Sequence, residues 1–497
     1  MSISGIPSGQ LSGRSLLKTD ITDPTVANIK TDLETRILAE HNYNAAQIQW
    51  LQDYHKGWHP AIQARVKQTR VEIDNKVTVN YAGSITRDIV GYFLGKPIQY
   101  TNRNGKFRKQ MENFTNAINA ENKQLVDYEI AEDCSICGVG YRGVFSEQNP
   151  RNGTTLKLLR LDARDTFVVY SSNPAKPPVY AVTSYETQAD ILGGSIKRVY
   201  TVYTTNQMMI FEQDGSSILG VPALGILTLK STKDILFGGN LPIIEYQNNL
   251  WRLGDWETAI TIMNALDATA SDGVNDIQQA VNSVLVALGI DLTDEVFAKL
   301  SQHGFLSISN IPPGSKPDIK FISEAMSADV GVSLRDYLEA TLRVIVGVPD
   351  RKTRGGGGGD TGDAVFMRDG WQDIDLVASG KEPYFIQAER EALAVMLYVL
   401  DTNSEVANIN AVDIDIHFNR NKTANLQSKS QVFQTLIAAG MAPVDALDIA
   451  SLTNNIHDVI MRMDAIKATN AQKALDDAAL AAKNAADLQV KGAAQVS

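Results

Sequence analysis

A run of five glycines between two helical patterns constrains this chain more than any other feature. On its N-terminal side, apolar residues recur at intervals of four and three in Leu334, Leu338, Leu342 and Ile345. This spacing predicts a helix with one apolar stripe. The helix should end before Pro349, because the residue ahead of a proline is pushed out of the α region. A second helix should open at about Ala364, capped by Asp360 or Thr361.

The connection between these helices is basic on one side and has little backbone restriction in its middle. Its residues are Arg351, Lys352 and Arg354, followed by Gly355, Gly356, Gly357, Gly358 and Gly359. Glycine loses more conformational freedom on ordering than any other residue, so a fixed arrangement of this run is costly. The composition suits backbone that moves or that lies against a phosphate backbone. It equally suits an ordinary surface linker, and the residues alone leave both interpretations open.

Neither glycine-rich stretch of the chain has the pattern of a nucleotide-binding loop. A phosphate-binding loop needs a lysine and then Ser or Thr after its last glycine, usually just behind a strand. The five glycines follow a helical pattern and no lysine comes next. Gly91 and Gly95 are followed by Lys96, but the spacing is wrong and Pro97 replaces the Ser or Thr. The sequence therefore excludes a built-in ATPase.

Composition is that of an ordinary globular protein with room for several domains. The 497 residues are 44% hydrophobic and 21% charged. The longest apolar run, at about 284–290, is much shorter than a membrane span, and the polar residues 1–19 predict no secretory signal. The formal charge of −11 argues against general nucleic-acid binding, so any contact with DNA should be local or weak.

Two cysteines, Cys134 and Cys137, have the spacing of a redox motif. No strand pattern leads into them, as a thioredoxin-like site would require, so we expect two packed thiols near a helix end. Metal sites are weakly indicated at two other places. His55 and His59 are four residues apart, but glycine and proline interrupt the helix and further ligands are absent nearby.

A second possible cation site is an alternating run near the C-terminal third of the chain. Asp413, Asp415 and His417 should share one face of a strand, as metal ligands do in some nucleases. No glutamate or lysine is placed to complete such a site. A solvated strand face is therefore the favoured interpretation.

The order of patterns predicts an α+β fold. Helical patterns occupy residues 26–70, 80–95 and 107–136, with a short strand at 98–101. Short β-branched or aromatic runs follow to residue 212, and a strand precedes residue 249. A helical segment, 251–276, then leads to a compact αβ insertion at about 277–325. The helix at 327–347 returns from it to the glycine run, and residues from 423 onward are helical again.

Four stretches, taken in this order, carry a resemblance to a known family. They are residues 80–90 with Gly95-Lys96-Pro97-Ile98, residues 241–245 with 248–249 and 253–257, residues 346–350 with the glycine run and Thr361-Gly362, and residues 418–421 with the helices up to 458. Together they resemble the portal proteins of tailed bacteriophages, the head-to-tail connectors of the type found in long-tailed phages of Gram-positive bacteria. The resemblance covers about residues 80–460.

The resemblance implies a division into named parts. These are a flexible N-terminal arm, 1–25; a β-rich wing, 26–250 and 363–420; stem helices, 251–276 and 326–348; a small αβ clip, 277–325; a tunnel loop, 349–362; and a helical crown with an Ala-rich tail, 421–497. In the tunnel loop, Arg351, Lys352, Arg354 and the five glycines become candidates for contact with DNA. Such contacts would be to phosphates and transient.

The resemblance also implies a function and partners. Portal proteins form a closed ring of about twelve subunits at one capsid vertex. Terminase packages double-stranded DNA through the ring without sequence preference, and DNA is later ejected through it. Expected partners are the large terminase subunit, a head-completion adaptor, and the major capsid and scaffold proteins. The implied locations are the virion and, during assembly, the host cytoplasm.

No cofactor, catalytic residue or membrane contact is implied by the resemblance. Two alternatives remain at the level of sequence. One is a scaffold or adaptor of head assembly that forms no ring. The other is a metal-dependent nuclease that uses Asp413, Asp415 and His417.

Overall fold

Helices and strands are mixed along the chain, which confirms the α+β class. The computed structural model describes residues 13–67, 71–102, 107–147, 151–187, 197–214, 217–218, 221–222, 226–281, 284–288, 318–322, 328–349, 371–406, 408–420, 426–450, 452, 459, 462–463 and 465–480. The helix start expected at Ala364 and residues 289–317 of the expected αβ insertion lie outside the described residues.

The helices account for most of the described chain. They are α1 (Val26–Asp32), continued by a π-helical turn (Leu33–Ile37) into α2 (Leu38–His55), α3 (Pro60–Gln63), α4 (Tyr81–Phe93), α5 (Arg108–Ala120), α6 (Lys123–Cys137), α7 (Ile260–Val281), α8 (Ala328–Val346), α9 (Trp371–Thr402), α10 (Leu426–Ala438) and α11 (Pro443–Ala450). Short 3₁₀ turns occur at Glu257–Ala259 and Ala411–Asp413, and residues 465–480 are helical.

One sheet of six strands has the order β1-β5-β6-β7-β8-β11. Its strands are β1 (Lys18–Thr19), β5 (Thr166–Ser171), β6 (Pro178–Glu186), β7 (Lys197–Tyr203), β8 (Gln207–Asp214) and β11 (Leu227–Asp234). β1 pairs in parallel with β5, and the other pairs are antiparallel.

The remaining strands form smaller antiparallel sheets. A three-stranded sheet joins β12 (Ile243–Gln247), β3 (Val139–Ser146) and β4 (Leu156–Leu161). Two-stranded pairs are β2 (Gln99–Asn102) with β15 (Ile414–His417), β13 (Val284–Leu288) with β14 (Asp318–Ile322), and β9 (Ser217–Ile218) with β10 (Val221–Pro222).

Two apolar cores organise these elements. The larger lies among α2, α4, α5, α6, α9, the start of α7 and the three-stranded sheet, with Trp256 fully buried in it. The smaller lies between the six-stranded sheet and the helix from α1 to α2, where Leu33 and Ile37 meet Tyr180 and Phe211. The sheet and the helical body are therefore held by separate apolar contacts.

Helix α4 shows how local sequence determines an element. The Asn80 side chain accepts a hydrogen bond from the Gly83 backbone N–H at 3.0 Å and caps the first turn. Its apolar residues share one face and are buried: Ile85, Ile89, Tyr92 and Phe93.

The predicted flexible arm, 1–25, is wrong for the residues that the structure describes. Leu17 is buried in the smaller core, and Lys18 and Thr19 pair with Tyr170 and Ser171. The Arg14 side chain is buried as well. A two-residue strand and one buried arginine produce no periodicity, so the sequence pattern could not reveal this packing. Residues 1–12 lie outside the described residues.

The first long helix starts later than the predicted residue 251. A 3₁₀ turn begins at Glu257, and α7 extends to Val281. Before it, the Asn249 side-chain oxygen accepts hydrogen bonds from the backbone N–H groups of Trp251 and Leu253, both at 3.1 Å. Arg252 has a φ of +54°, a left-handed conformation that a helix does not contain. These local contacts delay the helix.

The predicted stripe of α8 is only partly buried. Leu342 and Val346 are buried and Leu338 packs against the larger core, but Leu334 and Ile345 are exposed. A periodic pattern identifies an apolar face without identifying what covers it. Within a single chain, only part of the face meets a partner.

Candidate functional site

Helices α7 and α8 pack against each other, and a strand pair lies between them in the sequence. β13 follows α7, and β14 precedes α8. The two strands are antiparallel, with Val284 opposite Ile322 and Leu288 opposite Asp318. One helix therefore leads out to the strand pair and the other leads back, which is the order that the sequence predicted.

Helix α8 presents a second apolar face that the described chain leaves exposed. Its members are Leu334, Tyr337, Val344 and Ile345. At 3.6 residues per turn they fall within about 100° of the helix surface, beside the buried face of Leu342 and Val346. Val274 and Ile277 on α7 are exposed as well. Exposed apolar surface of this kind marks an interaction site.

The C-terminal end of α8 lies against the start of α9. Gly347 has a φ of +66°, and the Val348 N–H donates to the Arg343 carbonyl at 3.1 Å, which ends the helix before Pro349 as predicted. A Cβ added at Gly347 would lie 2.6 Å from Val377 Cγ2. The C-terminal end of α8 is thus in contact with the second turn of α9.

The first turns of α9 are fastened to the body by polar contacts. The Tyr92 hydroxyl donates to Asp375 Oδ1 at 3.1 Å, and Arg420 donates to the same oxygen at 2.8 Å. Arg420 also pairs with Glu382. Burial, with the Asp375 charge, raises the pKa of Tyr92, so this phenol remains a donor at neutral pH. The first turns of α9 are therefore attached to α4 and to the residues that follow β15.

Farther along α9, Glu389 is the centre of a buried ion cluster. Arg142 donates to both of its carboxylate oxygens, at 3.0 and 3.1 Å, and Lys123 lies 2.9 Å from Oε1. Asp127 pairs with both cations. Two cations thus face two anions, and the charge of this buried group cancels. The cluster joins α6, β3 and α9.

Two phenols complete the hydrogen bonding of Glu389. Tyr100 donates to Oε1 at 2.6 Å and Tyr246 to Oε2 at 2.8 Å. Burial alone would raise the pKa of Glu389, but Arg142, Lys123 and these hydrogen bonds hold it at about 2. Glu389 is therefore ionised at neutral pH and fixes α9 against the three-stranded sheet.

A buried pair also fixes α7 to the segment before α4. Asp267 is fully buried and pairs with His59, and its Oδ1 accepts from the Val79 N–H at 2.8 Å. The His59 ring stacks on Tyr54 with 3.9 Å between centroids. His59 is thus a packing partner of α7. Sequence reasoning missed this role because the partners are far apart in the chain.

Glu257, another acidic residue at this end of the segment, is also buried. It accepts from Arg14 at 2.6 Å and from the Gly254 N–H at 2.8 Å. A charged residue can be buried when a cation is placed to pair with it. The start of α7 is therefore tied to the segment that follows Gly13.

Most of the sequence matches a family model. The family is described as "Phage portal protein, SPP1 Gp6-like", and the match spans residues 34–473. The chain belongs to this phage portal protein family. The match confirms the resemblance that the four sequence stretches carried. The family is one of structural proteins, and the portal role of this chain follows from it.

Two other comparisons complete the description of this portal protein. No curated protein matches the chain. A solved structure described as "Neck of empty GTA particle computed with C6 symmetry" is similar, with a TM-score of 0.41 and 11% sequence identity. The similarity covers 75% of this chain and 90% of that chain.

The tunnel-loop residues predicted for the portal chain lie outside the described residues: Arg351, Lys352, Arg354, Gly355, Gly356, Gly357, Gly358 and Gly359. Gly347 precedes these residues and Val377 follows them, and the two are in contact.

The three residues of the nuclease alternative do not form a cation site in this portal protein. Asp413 lies in a 3₁₀ turn before β15, and Asp415 and His417 lie on the strand. His417 Nε2 and the Thr101 hydroxyl are 2.8 Å apart and form a hydrogen bond. Across the described ranges, no group of three or more His, Cys, Asp or Glu is placed to hold a metal.

None of the described helices is both long and apolar enough to span a bilayer.

The two cysteines of the portal chain are packed thiols at the end of α6, as predicted. Both are free and buried, and Cys134 Sγ donates to the Tyr246 carbonyl at 3.3 Å. Burial, with the charge of Asp133, raises the pKa of both thiols. They are therefore protonated at neutral pH and poorly nucleophilic.

Proposed function

We propose that this portal protein assembles into a closed ring of about twelve copies at one vertex of the capsid. Terminase packages double-stranded DNA through the ring, and the DNA later leaves through it toward the tail. The ring also nucleates head assembly in the host cytoplasm. The family match over residues 34–473 is the observation that carries this proposal.

Helices α7 and α8 are the proposed stem of the channel. Their mutual packing leaves a face of Leu334, Tyr337, Val344 and Ile345 uncovered, and a neighbouring copy would cover it. Residues 277–325, which include β13 and β14, are the proposed clip. Because the clip is inserted between two packed helices, it can project and bind the large terminase subunit and the head-completion adaptor. Residues 421–497 are the proposed crown with its Ala-rich tail.

Charge supports passage of DNA rather than tight binding. A ring of about twelve copies at −11 each carries about −130 formally. Firm contact with phosphates would stall translocation, whereas weak and screened contacts would not. Arg351, Lys352 and Arg354 are proposed to make such transient contacts. The other proposed partners are the major capsid and scaffold proteins.

The glycine run is proposed to let each loop follow the DNA from a rigid base. Gly347 against Val377, and Asp375 bonded to Tyr92 and Arg420, hold the two ends of segment 350–370. Because the ends are fixed, the residues between them must move when DNA passes through the ring. Backbone freedom should therefore matter more than charge.

Packaging by two loop variants tests this proposal. One replaces all five glycines, 355–359, with alanine, which removes φ > 0 freedom and favours helix by up to about 1 kcal/mol per residue. The other replaces Arg351, Lys352 and Arg354 with glutamine. We expect both to form rings, and the alanine variant to give far less DNase-protected DNA per prohead. Normal packaging by the alanine variant with failure of the glutamine variant would refute the role of the glycines.

A further inference from the structure

Two large apolar side chains stand exposed on the turn that precedes α7. Leu250 is 63% exposed and Trp251 is 68% exposed. They lie within residues 248–255, which we call the 248–255 turn. A single exposed apolar residue is ordinary, but an adjacent leucine and tryptophan at the tip of one turn form a contact surface.

The 248–255 turn is held rigidly from within. The Asn249 side chain bridges it, accepting from the N–H groups of Trp251 and Leu253 and donating to the Leu253 carbonyl at 2.8 Å. The Arg252 N–H donates to the Asn249 carbonyl at 3.1 Å. Arg252 itself takes a φ of +54°, which is costly for a residue with a Cβ.

Three glycines allow other backbone to pack directly on this turn. An added Cβ would lie 1.9 Å from the Trp251 carbonyl oxygen at Gly13, 2.0 Å from the Arg252 carbonyl oxygen at Gly138, and 2.5 Å from the Ile136 carbonyl oxygen at Gly254. The backbone of the turn is thus enclosed while the Leu250 and Trp251 side chains point to solvent. A strained, well-supported turn that presents apolar side chains is preorganised for binding.

We infer, on the basis of the proposed ring, that Leu250 and Trp251 insert into the body of the neighbouring copy. The turn is continuous with α7, whose pair α8 carries the exposed face Leu334, Tyr337, Val344 and Ile345. Both surfaces then belong to one subunit interface. Tryptophan is enriched among the residues that dominate interface energies.

Charge favours a protein partner over nucleic acid. The only cation within the turn, Arg252, has its Nε bonded to Glu245 at 2.8 Å and is buried. It is thus not available to a phosphate, and exposed aromatics that stack on bases normally lie in a positively charged groove.

The segment 1–12 is a competing partner for the Leu250 and Trp251 side chains, because Gly13 lies against Trp251.

Variants of Trp251 test the contact, with Trp58 as a matched control. Trp58 is also exposed, at 58%, and lies on another turn. We expect Trp251→Ala to weaken ring formation at least about thirtyfold by light scattering, with the thermal unfolding of the monomer unchanged. Trp251→Phe should restore assembly and Trp58→Ala should leave it intact. Normal assembly of Trp251→Ala, or an equal loss in Trp58→Ala, would overturn the inference.

Thiol labelling separates the possible occupants. Cys134 and Cys137 are buried, so a cysteine at position 251 or 58 is the reactive one. Maleimide should label Trp251→Cys readily in monomers and slowly in rings, and Trp58→Cys equally in both. Full labelling of position 251 in rings would overturn the inference. Deletion of residues 1–12 provides a second check: if it makes a protected position 251 reactive in rings, that segment is the occupant and the inference is wrong. If wild-type protein forms no ring, the proposed function fails instead.

Discussion

Gly347 and Val377 lie in contact where the glycine-rich segment leaves α8 and returns at α9. The close approach requires a residue without Cβ, since a Cβ at Gly347 would lie 2.6 Å from Val377 Cγ2. Gly347 also has a φ of +66°, a left-handed conformation that favours glycine. Helices α8 and α9 thus contact each other through one glycine.

Gly347→Ala should therefore destabilise the protein by about 1–3 kcal/mol, through the left-handed conformation and the clash with Val377. Denaturant unfolding measures the change. Gly380→Ala, in α9, is the matched control. Nothing lies within 4 Å of its added Cβ, so helix propensity should make it neutral or stabilising by up to about 1 kcal/mol. Equal effects of the two variants would contradict the contact.

Acid should weaken the attachment of α9 through Glu389. Its pKa in the fold, about 2, lies below the usual value of a glutamate, 4.5, so the folded state binds fewer protons than the unfolded state between these values. The stabilisation is present above about pH 4.5 and is lost as the pH falls toward 2. It amounts to on the order of 3 kcal/mol from this group.

Unfolding of wild type and Glu389→Gln as a function of pH checks this prediction. The variant should be less stable at pH 7 by about 3–5 kcal/mol, because Arg142 and Lys123 lose a buried partner. Its stability should also fall less between pH 4.5 and 2. Parallel pH curves for the two proteins would show that Glu389 is not the titrating group.

The thiols should be dispensable for assembly. Cys134→Ser with Cys137→Ser should cost about 1–3 kcal/mol, because two buried sulfurs are replaced by hydroxyls. Rings and packaging should persist. Stoichiometric zinc in the purified wild-type protein, or loss of packaging on mild oxidation, would reveal a role that their burial does not suggest.

The clip should carry the docking surface for terminase. Replacement of residues 280–322 by a short linker should leave ring assembly detectable, because the contact of α7 with α8 is kept. Binding of the large terminase subunit in a pull-down should be abolished. Undiminished binding would place the docking surface elsewhere on the portal.

Local patterns predicted the elements whose causes are local. Asn80 and the spacing of Ile85 and Ile89 determine α4, and short β-branched or aromatic runs between turn residues indicated β3 to β8. The partly polar strand Leu227–Asp234 was missed because its exposed residues do not alternate. Sequence periodicity also does not show which strands pair in the sheets, such as β8 with β11.

Long-range ion pairs were beyond sequence reasoning for a physical reason. Arg14 meets Glu257 across 243 residues, and His59 meets Asp267 across 208 residues. A charge is buried only when the fold supplies its partner, which composition does not reveal. The family resemblance predicted the portal role. The ion pairs that attach α7 and α9 to the rest of the protein are seen only in the structure.

The ring is tested most directly by the solution mass of the purified protein. Light scattering, with negative-stain images of the same sample, should give about twelve times 54.2 kDa and annular particles with a central hole. A monomer or dimer of 54.2 kDa chains, with no annular particles at any concentration, would contradict the portal ring and favour a scaffold or adaptor.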